Sequence, residues 1–380
     1  MEQPQKEKNR LLEVASVFFK LGIIGFGGPA AHIAMMEEEV VTKRKWMDRQ
    51  HFLDLMGATN LIPGPNSTEM TMHCGKERAG WLGLFVAGGS FIFPAVVLTL
   101  LLAYFYVEYG ETPAIAPLII GIKPAVLAII AGAIIKLGKK ALKSTLIGVI
   151  GAVVLIAAFA GLTEVLAILM GGVLALLILG IRGGDSLRWT VLLGIPQIAD
   201  QLNQTVSTSK LFLVFLKVGS ILFGSGYVLV AYLQGELVDK LGWLTQSELL
   251  DAIAIGQFTP GPVLSTATFV GYQVDGFAGA AAATIGIFLP SFLFVLLLNP
   301  LVPKLRSSKA AGAFLDGVNI GAVAIMIAVT LELAYSALVD WRAWVIMAVA
   351  LFFTFGPKKL SSVYIVLLGM LLGYALYLIP

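Results

Sequence analysis

Residues 60–69 read Asn60-Leu61-Ile62-Pro63-Gly64-Pro65-Asn66-Ser67-Thr68-Glu69. The pattern returns 197 residues later as Gln257-Phe258-Thr259-Pro260-Gly261-Pro262-Val263-Leu264-Ser265-Thr266. Proline lacks a backbone donor and its ring clashes with the preceding turn, so Pro-Gly-Pro stops a helix. The match extends outward. Val17–Pro65 aligns without a gap to Val214–Pro262, with 17 of the 49 positions identical. After one deletion the register continues at a shift of 196 through Gly80/Gly276, Gly83/Gly279, Pro94/Pro290 and Gly121/Gly317. The unit is half the chain, far longer than the roughly 20 to 50 residues of a solenoid repeat. In a membrane chain such a repeat points to a transporter architecture with its site where the halves meet.

Composition makes this a membrane chain. It is 58% hydrophobic and 13% charged, with 41 glycines and a mean hydropathy of +0.89. That is too little charge to cover a soluble globule of 380 residues. Apolar segments such as 85–105, 114–135, 277–298 and 310–331 reach the roughly 17 to 25 residues that a spanning helix needs. Residues 1–10 lead into a charged amphipathic stretch, so no signal peptide is expected. A single cysteine, Cys74, excludes an internal disulfide and a multi-cysteine metal site. The net charge of +3 lies in loops at span ends, which reads as topology and not as nucleic-acid binding.

Loop charge orients the spans. Lys43, Arg44, Lys45 and Arg49, then Lys76 and Arg78, then Lys136, Lys139, Lys140 and Lys143 mark cytoplasmic loops, whereas the connections near Glu108 and Glu164 are acidic. In the second half the sign reverses, with Glu236 and Asp239, then Asp275, standing where the first half is basic. The halves are therefore inverted, which requires an odd number of crossings in each. Each half shows six hydrophobic segments, so one must enter and leave on the same side. The polar Pro-Gly-Pro segments, 52–73 and 249–272, fit that role, because non-helical backbone at membrane depth survives only under protein or beside an aqueous cavity. The expected fold is all-α and integral to the membrane: two inverted-topology repeats with about ten transmembrane helices and two re-entrant Pro-Gly-Pro hairpins. The expected organisation is an N-terminal repeat over 11–182, a polar linker over 183–210 holding a short apolar patch at 190–199, and a C-terminal repeat over 211–380. This topology places the N-terminal tail outside.

Further breaks supply the candidate site. Gly25-Phe26-Gly27-Gly28-Pro29-Ala30-Ala31-His32 interrupts an apolar segment, with Pro29 suited to the first position of a new helix. Leu222-Phe223-Gly224-Ser225-Gly226-Tyr227 is its repeat. Close helix packing is the bland reading of these glycines; a discontinuous helix is the functional one. Asn66 and Glu69 have capping-box spacing, which competes with a binding role for Asn66, Ser67 and Thr68. Thr68 and Ser265 share a repeat position. Four helix N-termini, two per half, would converge and bind an anion through unpaired N–H groups and the helix dipole. Lys123 sits mid-span, where a lysine is costly unless paired or hydrated, and its counterpart is neutral Asn319. One fixed cation with one neutral donor suits an anion. Asp54, Asp251 and Glu69 are proton-coupling candidates, and His32 and His73 are candidate proton carriers or counter-charges. The histidines lack metal-ligand spacing. Gly75-Lys76-Glu77-Arg78 is no P-loop, residues 222–226 fail the serine-elbow spacing, and no nucleophile–base pair is evident. Neither a metal, a cofactor nor an enzymatic activity is expected.

At these motifs the chain resembles the chromate transporter family in its long form with two fused halves. Phe26-Gly27-Gly28-Pro29 with His32, Asn60 to Glu69 and Gly80-Trp81 look like the signature of that family's N-terminal half. Phe223 to Tyr227, Gln257-Phe258-Thr259-Pro260-Gly261-Pro262 and Thr266-Ala267-Thr268-Phe269 look like that of its C-terminal half. The resemblance spans roughly residues 11–375. It implies efflux of chromate across the bacterial inner membrane by a multi-pass protein driven by an ion gradient, with the proton as the expected coupling ion. The substrate-binding candidates are then Gly27, Gly28, His32, Asn60, Asn66, Ser67, Thr68 and Lys123 in the first half, and Gly224, Ser225, Gln257, Ser265, Thr266 and Asn319 in the second. Sulfate or another oxyanion, an anion channel of the same architecture, and a homodimer are the alternatives left open.

Overall fold

The computed structural model describes residues 2–59, 61–110, 112, 115–182, 206–223, 226–298, 308–357 and 359–377. Among these residues there are fourteen α-helices and no strand. The expected linker lies largely outside the described residues, and its 190–199 patch wholly so.

Helix α1 (Glu2–Ile24) stops where Gly27 and Gly28 take φ of 104° and 77°, angles that only glycine adopts without strain. Helix α2 (Pro29–Met36) starts immediately after, with Pro29 in its first turn, and runs on as a π-helical stretch, Glu37–Lys43. The chain reverses here. Lys20 donates to Glu39 at 3.2 Å and Arg44 to Glu13 at 3.0 Å, whereas nineteen residues of continuous helix would separate Lys20 from Glu39 by about 28 Å. Helices α3 (Arg49–Thr59) and α4 (Asn66–Tyr109) follow. α4 is two helices folded against each other, because Ala79 and Gly80 leave helical geometry. A Cβ on Gly75 would lie 2.3 Å from the Gly83 carbonyl, so the limbs 66–78 and 81–109 touch backbone to backbone. α3 and the limb 66–78 thus form the expected re-entrant hairpin. Glu13 also holds Arg78 at 2.6 Å, so both hairpins open on one face. Gly22 packs against Phe91 and Pro94, halfway along the limb 81–109, which puts the hairpin tips at mid-depth.

Three more helices complete the first half: α5 (Ala116–Ala141), α6 (Thr145–Phe159) and α7 (Glu164–Arg182). The second half repeats the plan with α8 (Thr208–Ile221), α9 (Leu229–Leu233) with its π-helical extension Gln234–Lys240, α10 (Gln246–Phe258), α11 (Thr266–Leu298, broken at Asp275 and Gly276), α12 (Lys309–Ala337), α13 (Trp341–Phe355) and α14 (Ser362–Tyr377). The Lys217–Glu236 ion pair closes α8 on α9 just as Lys20–Glu39 closes α1 on α2.

The long limbs of α4 and α11 run antiparallel. Phe85 stacks on Phe292 at one end, with ring centroids 5.6 Å apart, and Tyr106 meets Phe269 at 5.1 Å at the other. The halves are also interlocked. α5 crosses α14 where Gly121 meets Gly369 and Gly373, and α12 crosses α7 where Gly317 meets Gly171. Small residues let membrane helices approach this closely. Exposed Phe93, Phe105, Ile156, Phe159 and Leu371 form the lipid-facing exterior.

Among the described residues four helices are long and apolar enough to cross a membrane, and four further apolar helices are shorter. One feature departs from the sequence expectation: the first segment of each half turns back at its glycine break. The same reversal moves the N-terminal tail to the basic face beside Arg44 and Arg78, and not to the outside, which the positive-inside rule assigns to the opposite, acidic face.

Candidate functional site at the hairpin tips

Two hydrogen bonds between the halves organise the centre. The Gly64 N–H donates to the Leu222 carbonyl at 2.6 Å, and the Gly261 N–H donates to the Gly25 carbonyl at 2.8 Å. Donors and acceptors are each related by the 197-residue shift, so a pseudo-two-fold axis passes between them. Each Pro-Gly-Pro tip is pinned to the glycine-rich break of the other half. Gly64 must be glycine for space as well as for its φ of 140°, because a Cβ there would lie 2.2 Å from Glu69 Oε1 and 2.6 Å from Ser291 Oγ.

Four helical starts gather around these bonds. α2 begins beside α4, with His32 Nδ1 3.3 Å from Ser67 Oγ. The 3-10 turn Gly226–Val228 begins beside the turn Val263–Ser265, since a Cβ on Gly226 would meet Val263 at 3.3 Å. Tyr227 Oη approaches Gly28 across the boundary between the halves. The caps of α2, α4 and the Val263 turn are Gly28, Pro65 and Pro262, none with a side-chain cap bond. At these three starts the cap residue's side chain accepts from no first-turn N–H group, the donors that a helix interior does not satisfy.

The predicted residues separate into groups. His32 is buried and fully engaged, with Nε2 2.8 Å from the Gly25 carbonyl and its ring edge-on to Phe91; it ties the two tips of the first half together. Thr68 Oγ1, both Glu69 carboxylate oxygens, Gln257 Nε2 and Ser291 Oγ are buried without a hydrogen-bond partner among the described residues. Ser265 lies 3.4 Å from Thr259, and Thr266 donates to the Val263 carbonyl. Asn60, Gly224 and Ser225 lie outside the described residues. The capping box expected of Asn66 and Glu69 is absent: Pro65 is the cap, Asn66 is already the first helical residue, and Glu69 makes no return bond. With Pro65 as the cap, the helix starts one residue earlier than the Asn66 reading requires. A capping box does form at Thr245 and Glu248, at the start of α10.

Lys123 lies apart from the tips. Its ammonium is 3.5 Å from Asp251 Oδ2 and donates to Ser247, while Tyr106 donates to the same carboxylate at 2.7 Å. Asp251 lies six residues before Gln257 on α10, so the pair sits about 9 Å from the tip, toward the acidic face. A cavity of about 320 Å³ opens there, lined by Lys123, Ser247, Ser336, Asp340 and Arg342 among others. Asn319, half-buried on α12, is the repeat counterpart of Lys123, and Asp54, which accepts from Gln50 at 3.2 Å, is that of Asp251.

The sequence profile of the chromate transporter family matches twice, over residues 12–177 and 209–374. The chain belongs to the chromate transporter family. Similar relatives include the chromate transport protein of Pseudomonas aeruginosa, 32% identical over 83% of this chain and 79% of that one. That of Cupriavidus metallidurans is 30% identical over 97% and 93%. An uncharacterized transporter of Methanocaldococcus jannaschii is 29% identical over 96% and 94%. No solved structure matches the chain. This member of the chromate transporter family is a multi-pass membrane protein of two homologous halves.

Within this family framework, sequence reasoning passed over Tyr106, Tyr227, Ser247 and Ser291. Tyr227 stood inside the quoted second-half motif and Ser291 beside the repeated Pro290, so both carried a signal. Tyr106 and Ser247 carried none, because their relevance depends on contacts between the halves.

Proposed function

We propose that this chain is a secondary-active transporter of a tetrahedral oxyanion, chromate in the first place, moving it from the basic to the acidic face as efflux. It acts as no enzyme in this reading. The observation that supports it best is the gathering of helix N-termini without side-chain caps around two symmetry-related hydrogen bonds, with unpartnered Thr68 and Gln257 among them. A helix N-terminus favours an anion by about 0.3 to 1 kcal/mol when exposed and up to about 2 when partly buried. A dianion is costly to desolvate, so several such ends and fixed donors acting together are required. The names of the relatives from Pseudomonas and Cupriavidus favour chromate. Sulfate has the same charge and nearly the same shape and is the expected competitor. An inside-negative membrane potential itself drives a dianion outward.

Lys123 acts in this reading as the cation an anion meets in the acidic-face cavity, exchanging its Asp251 partner for the ligand. The test is chromate flux into proteoliposomes with sulfate as competitor and with proton and electrical gradients imposed separately. Flux that saturates and is stimulated by oxyanion on the far side supports a carrier. Non-saturating flux indifferent to the far side identifies an anion channel on the same scaffold.

A further inference from the structure

The limb 66–78 runs from the centre of the molecule to the basic face, and three titratable side chains stand on it at intervals of four residues: Glu69, His73 and Glu77. Residues four apart on a helix lie on one face, one above the other, so the three form a file about 12 Å long. Glu69, at the inner end, is fully buried with both oxygens unpartnered among the described residues, and His73 is buried with Nε2 likewise unpartnered among them. Glu77, at the outer end, is partly exposed and sits 3.2 Å from His51 Nε2 on α3. The second half has no such file: its equivalent stretch, residues 265–273, holds neither a carboxylate nor an imidazole. Polar atoms buried without a partner are destabilising; those of Glu69 and His73 are titratable and in register on one limb, whereas the short limb of the second hairpin offers only the neutral Gln273.

We propose that Glu69, His73 and Glu77 form a one-sided proton route from the basic face to the tip cluster, with Glu69 as the binding site of the coupled proton. This rests on the reading of the tips as an oxyanion site. A proton from the basic-face solution is taken up by the Glu77–His51 pair and passes to one ring nitrogen of His73. The other ring nitrogen releases a proton, and the Glu69 carboxylate accepts it to become a neutral carboxylic acid; when the tips open to the acidic face the acid releases that proton there with the oxyanion. Four residues of rise leave room for one bridging water at each transfer. The groups facing Glu69 are Gly64 and Ser291, both neutral, and no charged side chain among the described residues acts on it. The charged neighbours of His73 are Lys76 and His51. Glu69 is thus the one acidic side chain in the first turn of α4, beside N–H groups that face the oxyanion. When ionised it repels a dianion and when protonated it does not, so proton and oxyanion bind cooperatively.

The experiment reconstitutes the full chain in liposomes holding a pH dye, with chromate added above its own pKa so that it remains a dianion. Wild-type protein is expected to move protons together with chromate. Glu69→Gln is expected to lose at least tenfold of the proton movement per chromate moved and to lose the pH dependence of chromate affinity. His73→Gln is expected to slow proton movement at least tenfold with chromate affinity unchanged at low pH, and it carries the test should Glu69→Gln not fold. Wild-type chromate flux without proton movement, flux that follows a sodium gradient instead, or either variant retaining full proton coupling overturns the route while leaving oxyanion transport intact. Absence of chromate or sulfate flux in the wild type overturns the oxyanion reading and the route with it.

Discussion

Lys123 and Asp251 show how one residue's meaning depends on its partner. A buried ion pair contributes little net stability, yet removing one partner strands the other at a cost of about 3 to 5 kcal/mol. Asp251 is almost wholly buried, so Lys123→Met is expected to lower the unfolding temperature as well as abolish transport. The double variant Lys123→Met/Asp251→Asn is expected to recover thermal stability but not transport. A double variant as unstable as the single one would mean that the pair does not couple them. Thr68 gives the opposite sign. Its hydroxyl has no partner among the described residues, so Thr68→Val is expected to leave stability unchanged or raised. It should weaken oxyanion binding by about 1.5 to 3 kcal/mol, the worth of a hydrogen bond to a charged group, or roughly tenfold to a hundredfold. Ser265→Ala should act similarly, and the two together less than additively. Calorimetric titration with chromate and sulfate measures both.

At the scale of the element, the broken helices depend on backbones brought into contact. A side chain on Gly75 meets the Gly83 carbonyl at 2.3 Å, whereas one on Gly89 meets nothing within 4 Å. Gly75→Leu is therefore expected to pry the limbs of α4 apart, at the cost of about 1 to 3 kcal/mol typical of overpacking or more. Gly89→Leu should be tolerated. Thermal unfolding in detergent compares them, and equal stability would remove the tight hairpin from the account. The hairpins were legible in the sequence because Pro-Gly-Pro acts locally, through a missing donor and a fixed φ. The reversal at Gly25 to Gly28 was legible only as a break. Glycine permits a turn without stating its direction, and the fold-back is fixed by Lys20 on Glu39 and Glu13 on Arg44 and Arg78.

For the whole molecule, the inverted repeat and the fold-back of α1 make a joint prediction. Cys74, the single cysteine, is fully buried, so an otherwise native chain is silent to thiol reagents. A cysteine at Lys45 is expected to react with an impermeant reagent from the same face as a tag on the N-terminus, and one at Asp275 from the opposite face. Labelling of both cysteines from one face would remove the inversion. A tag on the Asp275 side would remove the hairpin reading of α1.

The sequence by itself determined that the chain lies in a membrane, that it is two copies of one unit, that loop charge inverts the copies, and where each helix must break. These follow from composition, periodicity and local backbone chemistry, which act within a few residues. The tertiary structure alone decided that α1 turns back, that each Pro-Gly-Pro tip is held by the other half, that Lys123 pairs with Asp251 beside a cavity apart from the tips, and that Glu69 is left without a cap to make. Each is a contact between segments tens to hundreds of residues apart, set by how the two halves pack and not by any local pattern.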